Sequence, residues 1–292
     1  SLIMLNWNWN KMEKKISSFK RKEKKFVVID NTYEEIVTAL KKDISVFSYN
    51  EDEVSQIKTT YLDDEKLSIF KEYLTQREFR FKIRLRNYGC KNIFEDKIWV
   101  EIKVKYNRTT YKKRFMIPQE LVKNFLAGED IYSKLKEYNP SVPLLKKTYK
   151  LILDLIKIGS LKPVMTTDYD RIAFQNKSKR IRITVDKHIK HTALLHKHRE
   201  KQLRIIVFES KIMGKKAKWF KKMENKLSLL PQKRFSKYAT GINSVYFPER
   251  GTYNFYTNFA EADKIPKNTA KSLQLIKEYF KFSDVDLMEG ED

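Results

Sequence analysis

Residues 78–88 read Glu-Phe-Arg-Phe-Lys-Ile-Arg-Leu-Arg-Asn-Tyr. From Phe79 to Arg86, apolar and cationic side chains alternate without a break, and an extended strand is the conformation that sorts such a pattern onto two clean faces. Arg80, Lys82, Arg84 and Arg86 then share one face, against Phe79, Phe81, Ile83 and Leu85. The two-residue period returns along the chain. In 97–107, Trp99, Glu101, Lys103 and Lys105 oppose Ile98, Val100, Ile102 and Val104. In 180–187, Arg180, Arg182, Thr184 and Asp186 oppose Ile181, Ile183 and Val185. Arg21, Glu23 and Lys25 share a face in 19–29, and Glu209 and Lys211 share one in 203–211, behind Ile205 and Val207.

A sheet with one wet face accounts for any single strand of this kind. The repetition asks for more. Like charges on neighbouring strands repel, so stacked cations need an anion to neutralise them. The carboxylates are sparse, one per strand at Glu23, Glu101 and Glu209. Carboxylates holding a divalent cation, with Arg and Lys holding phosphate oxygens, give this pattern. Closing the sheet turns the charged face inward and leaves the apolar face for helices to cover, and a barrel of about eight strands has room for a chain-like ligand.

Further strands are expected over 55–62, 110–117 and 163–174, and helices after Asn31, whose partner at the third helical position is Glu34, and after Asp63 and Asp64. Pro118 opens another helix; 141–158, 215–227, 233–241 and 269–280 complete the set. The expected fold is α+β: a mainly antiparallel, eight-stranded β-tunnel or barrel with a charged interior, flanked by helices. Residues 1–18 read as an arm or short helix, 19–283 as the domain and 284–292 as an acidic tail.

Lys and Arg number 61 against 37 Asp and Glu, a net charge of +24 that attracts polyanions without choosing among them. Cys90 is the single cysteine, so no internal disulfide forms and a reducing, cytoplasmic setting is expected. No apolar run reaches the ~18 residues of a membrane span, and no Gly-rich phosphate loop is present. The histidines His188, His191, His196 and His198 fall in 187–201, a segment read as a solvated hairpin loop rather than a zinc site.

Nine short pieces in order carry a resemblance. They are Phe19-Lys20-Arg21-Lys22-Glu23-Lys24-Lys25-Phe26, Thr60-Tyr61-Leu62-Asp63-Asp64, Phe81-Lys82-Ile83-Arg84-Leu85-Arg86-Asn87-Tyr88-Gly89, Glu101-Ile102-Lys103, Lys112-Lys113-Arg114-Phe115, Lys162-Pro163-Val164-Met165 with Tyr169-Asp170-Arg171-Ile172-Ala173-Phe174, Arg180 to Asp186, Phe208-Glu209-Ser210-Lys211, and Phe235-Ser236-Lys237-Tyr238-Ala239-Thr240-Gly241. Together they resemble the polyphosphate polymerase domain of the vacuolar transporter chaperone family, among the triphosphate tunnel metalloenzymes. The resemblance implies transfer of the terminal phosphoryl group of ATP to inorganic polyphosphate, with Mn²⁺ or Mg²⁺. It implies phosphate contacts from Arg84, Arg86, Arg171 and Arg182, point charges from Lys25, Lys103, Lys112 and Lys211, and lesser ones from Arg21, Arg114 and Arg180. Tyr169 and Ser236 are candidate hydrogen-bond donors to phosphate. Glu209 is the expected metal ligand, helped by Glu23 and Glu101, and Lys237 the expected catalytic residue beside Glu209.

A membrane or regulatory protein is expected in trans, which would hold the chain at the cytosolic face of a membrane; sequence-specific nucleic acid is not expected. Two other functions stay open: a tunnel-type tripolyphosphatase or nucleoside triphosphatase, whose first strand prefers Glu-x-Glu-x-Lys, and a non-catalytic polyanion-binding module. Against a nucleic-acid reader, the strand aromatics Phe79, Phe81 and Phe208 lie opposite the basic residues, whereas such readers display aromatics on the basic face.

Overall fold

The computed structural model describes residues 21–48, 51–75, 78–107, 109–195, 199–232, 235–250 and 265–282. The expected N-terminal arm, the acidic tail, His196 and His198 lie outside the described residues. The strands are β1 (Arg21–Ile29), β2 (Val54–Asp63), β3 (Arg80–Cys90), β4 (Ile93–Phe94), β5 (Lys97–Tyr106), β6 (Thr109–Pro118), β7 (Lys162–Gln175), β8 (Ile181–Ala193), β9 (Glu200–Gln202) and β10 (Ile205–Met213). The helices are α1 (Tyr33–Lys41), α2 (Ser68–Leu74), α3 (Val122–Leu126), α4 (Tyr132–Leu135), α5 (Leu145–Gly159), α6 (Lys218–Lys226), α7 (Lys237–Tyr246) and α8 (Lys267–Phe280). The architecture is therefore α+β, mainly antiparallel, with eight main strands among the described residues and β4 and β9 as short additions.

Two compact units divide the chain. The first draws on Ser1–Val54, Arg171–Lys187 and Arg204–Phe235, the second on Ser55–Asp170, His188–Leu203 and Ser236–Asp292. β7 and β8 supply residues to both. In the first unit β1 pairs antiparallel with β10, and β10 with β8. Its core gathers Phe26, Ile36, Leu40, Phe174, Ile183, Val185, Phe208 and Phe220. Phe208 meets Phe26 edge-on at 5.3 Å and stacks on Phe220 of α6 at 6.0 Å, so the apolar face of β1 and β10 is covered by helix, as the alternation requires.

In the second unit β2, β3, β5 and β6 follow one another as antiparallel neighbours, with β7 beside β2. Ile83, Val100, Ile102, Val104, Phe115 and Ile117 point into a core closed by Tyr149, Ile152 and Leu155 of α5. Phe115 packs edge-on against Phe125 and Tyr149 at 5.9 and 5.8 Å. No pairing closes either unit's strand path into a ring among the described residues.

Several boundaries differ from those expected. α1 starts at Tyr33 with Thr32 at its N-cap and no side-chain cap bond, because the Thr32 hydroxyl donates to the Ile29 carbonyl at 2.7 Å. Asp63 and Asp64 do serve the first turn of α2: Asp64 Oδ1 accepts from Ser68 N at 2.9 Å, and Asp63 accepts from Ile69 N and Phe70 N at 2.9 and 3.0 Å. The helix expected over 233–241 begins only at Lys237 and runs on to Tyr246. The largest correction concerns 187–201. β8 continues through His188, which takes a left-handed φ of 53°, to Ala193, and β9 pairs with it from Glu200. Ile189, His191 and Ala193 are buried there; the surrounding lysines masked a strand whose buried side these three residues form.

Candidate functional site

Antiparallel register decides what the charged faces do. In the first unit, Glu23 stands opposite Lys211 and Lys25 opposite Glu209. Two Glu-x-Lys motifs running in opposite directions thus place each carboxylate across from an ammonium. Glu209 holds Lys211 at 2.6 Å and Lys25 at 4.0 Å, and Glu23 holds Lys25 at 3.5 Å and Lys211 at 3.9 Å. On β8, Arg182 and Thr184 continue the face opposite Lys211 and Glu209. Arg182 also lies 6.0 Å from the Phe47 ring. Arg171 meets the fully buried Asp186 with a two-pronged contact, Nε at 2.6 Å and Nη2 at 2.8 Å. That fork fixes the guanidinium plane. Arg21 opens β1 opposite Met213, and Arg180 is exposed just before β8.

The second unit has a different balance. Arg84, Glu101 and Arg114 stand in one cross-strand row of β3, β5 and β6, and Lys82, Lys103 and Lys112 in the next. Among the described residues of these strands, Glu101 is the one carboxylate on a face that also carries Arg80, Arg86 and Lys105. Glu101 is 1% exposed and is held by Arg84 Nε at 2.7 Å, by Lys112, and by Arg114 at 3.9 Å. Burial alone would raise its pKa, but Arg84, Arg86 and Lys112 outweigh that and bring it down to about 2. Burial lowers Lys112 to about 8, with Glu101 opposing the shift and Arg84 and Arg114 adding to it. Arg86 is buried and its Nε donates to Thr59 Oγ1 at 3.2 Å. Arg114 lies 4.0 Å over the Trp99 ring.

Close by in sequence to none of these, α7 carries Lys237 at its first residue. The Lys237 ammonium sits 4.8 Å over the ring of the buried Tyr169. Ser236 caps the helix, accepting from Ala239 N at 3.5 Å, and also accepts from Lys82 Nζ at 2.9 Å. Tyr238 is buried and donates to Asp63 Oδ2 at 2.5 Å. Burial pushes the Asp63 carboxyl up to about 7, against the pull of Tyr238 and the α2 amides.

The alternation put Arg84 on the charged face of 78–88, Glu101 on that of 97–107, Glu23 with Lys25 and Glu209 with Lys211; the register sets Arg84, Glu101 and Arg114 in one row and faces Glu23 and Glu209 with Lys211 and Lys25. Sequence reasoning passed over Lys82, Asp63 and Asp186 as site residues, although all three stand inside the quoted motifs. It also missed His191. That ring is fully buried, shares a 2.9 Å hydrogen bond with Thr167 and leaves Nε2 without a hydrogen-bond partner among the described residues. Burial, and then the Lys237 charge, lower its pKa to about 3, so it is neutral at physiological pH.

A family model described as the VTC domain matches residues 20–246. The chain belongs to the VTC-domain family. A similar VTC protein is the vacuolar transporter chaperone complex subunit 4 of Trypanosoma brucei brucei, 27% identical over 226 residues that make up 66% of this chain and 28% of the relative. The chain thus spans under a third of that relative's length. Among solved structures, the PH1819 protein of Pyrococcus horikoshii aligns at a TM-score of 0.40 and 12% identity, over 75% of this chain and 97% of its own. No helix among the described residues of this VTC domain is long and apolar enough to cross a membrane.

Proposed function

We propose that this chain is a polyphosphate polymerase, which moves the γ-phosphoryl group of ATP onto a growing inorganic polyphosphate chain and releases ADP. The observation that carries the reading is the cation surplus on β3, β5 and β6, held in register around Glu101, within a chain of the VTC-domain family. Phosphoryl transfer asks a protein for positioning and charge neutralisation more than for covalent chemistry. Arg84, Arg86 and Arg182 meet phosphate oxygens through guanidinium N–H groups, and Arg171, its plane set by the fork to Asp186, adds its charge to the same role. Lys25, Lys103, Lys112 and Lys211 add point charges, and Arg21 and Arg114 lesser ones. Lys237 acts at the transferred group, next to Tyr169 and Ser236.

The donor set suits a hard divalent ion. Glu23 and Glu209 offer only oxygen, are partly exposed, and each faces a lysine that phosphate can draw away. Glu23 and Glu209 would hold Mn²⁺ or Mg²⁺, which would supply charge neutralisation to a bound phosphate. Glu101 is committed to three cations, and its role is to space the arginines. A partner protein, as the relative's name as a complex subunit suggests, would set cellular placement at the cytosolic face of a membrane.

The test is incubation of purified protein with ATP and Mn²⁺, then assay of acid-labile polyphosphate. Product is expected from the wild type and lost in Lys237→Ala and Arg84→Ala. Failure to make product across metals and primers rejects the reading; hydrolysis of tripolyphosphate alone moves it to a phosphatase.

A further inference from the structure

Lys237 is the first residue of α7, so its ammonium goes wherever the first turn of that helix is held. Both of its chain neighbours are tied to β2 and β3. On one side, the Ser236 hydroxyl takes a hydrogen bond from Lys82 of β3 at 2.9 Å while capping the helix. On the other, Tyr238 sinks its ring between Tyr61 (4.9 Å) and Phe70 (6.4 Å) and donates its hydroxyl to Asp63 at the end of β2. Asp63 also accepts from the amides of Asp64, Ile69 and Phe70, so one buried carboxylate joins β2, α2 and α7. The Lys82 ammonium lies 5.0 Å from the Tyr238 ring, linking the two anchors. Farther along the helix, Gly241 lets α7 approach β7 and β8: a Cβ there would stand 2.6 Å from Met165 Sδ and 2.5 Å from His191 Nδ1.

For packing alone, Phe at 238 and an apolar residue at 63 would serve, without the cost of burying a carboxylate and a phenol. The polar pair adds direction: a hydrogen bond fixes where the ring sits along its slot, which dispersion contacts do not. We propose that Asp63, acting through Tyr238, and Lys82, acting through Ser236, are positioning residues that set the Lys237 ammonium for phosphoryl transfer. This rests on the polymerase reading of Lys237. A misplacement of about 1 Å at a reacting group costs on the order of 100-fold in rate, so loss of either anchor acts on turnover rather than on substrate capture.

The experiment measures kcat and KM for ATP in polyphosphate synthesis by the wild type, Tyr238→Phe and Lys82→Met. Tyr238→Phe keeps the ring and removes only the donor; Lys82 is partly exposed, so its replacement leaves the core intact. The expected result is a fall in kcat of tenfold or more in Tyr238→Phe and at least fivefold in Lys82→Met, with KM within twofold of the wild type. Wild-type turnover in both variants overturns the inference while leaving the polymerase reading in place. A raised KM with kcat retained in Lys82→Met also overturns it, because Lys82 then binds phosphate directly. If Tyr238→Phe fails to fold, the Lys82 result decides. A wild type that makes no polyphosphate rejects the polymerase reading itself and takes the inference with it.

Discussion

Replacing Glu101 by Gln removes one negative charge and almost no volume from the row Arg84, Glu101, Arg114. Glu101 is 1% exposed, so solvent does little to screen its contacts. Its carboxyl pKa falls from 4.5 to about 2 on folding, a difference that corresponds to roughly 3 kcal/mol of stability. The same size is expected from breaking a buried ion pair and leaving its cations uncompensated, about 3–5 kcal/mol. The sign is fixed by the direction of the shift. A depressed carboxyl contributes stability that is fully present above 4.5 and is lost as pH falls through about 2. Glu101→Gln is therefore expected to lose about 3 kcal/mol at pH 7, and its deficit should shrink steadily as the comparison is repeated from pH 5 down to pH 2. Because the chain divides into two units, the readout should be local: urea-dependent hydrogen exchange of the β5 amides over 97–106. A deficit below about 1 kcal/mol at pH 7, or one that stays constant between pH 5 and pH 2, would show that Glu101 is not the electrostatic hub of this face.

Lys112 gives a proton-linked prediction. With its pKa at about 8, a bound polyanion raises it again, so tripolyphosphate binding at pH 8.5 should take up protons, and affinity should fall as pH rises through 8. Calorimetry in two buffers of different ionisation enthalpy, on the wild type and Lys112→Met, tests this: the wild type should take up more protons than the variant at pH 8.5 and no more at pH 6.5, and equal uptake by the two at pH 8.5 would rule it out. Ser236→Ala removes the α7 cap and should destabilise by about 1 kcal/mol in chemical unfolding; no change means the cap bond is made in name only. Gly241→Ala forces a methyl group onto His191 and Met165 and should cost about 1–3 kcal/mol, with the melting temperature as the measure and an unaltered value as the refutation.

How much of this could be read in advance depends on the range of the interaction. A strand sorts its side chains by parity, so the faces of β3 and β5 follow from neighbouring residues alone, and their core contacts followed too. Where one window mixed signals the reading failed: the lysines of 187–201 hid the buried Ile189, His191 and Ala193 of β8. Register is the next step up. That Glu23 faces Lys211 and Lys25 faces Glu209 required knowing which strands pair, and the Glu-x-Lys motifs hinted at a charged face without saying that they neutralise each other. The hydrogen bond from Tyr238 to Asp63 joins residues 175 positions apart, beyond any local rule. Asp63 looked like a helix-capping residue and is one; its second partner arrives only when α7 is placed. The contrast between the two carboxylate settings follows from the same logic. Glu23 and Glu209 alternate with two lysines and stay partly open, so water can reach these ion pairs. Glu101 is enclosed by more cations than it can satisfy, so a net positive charge is left over on that face of β3, β5 and β6. That residual charge, rather than the chain's overall +24, is what an anionic thread would meet.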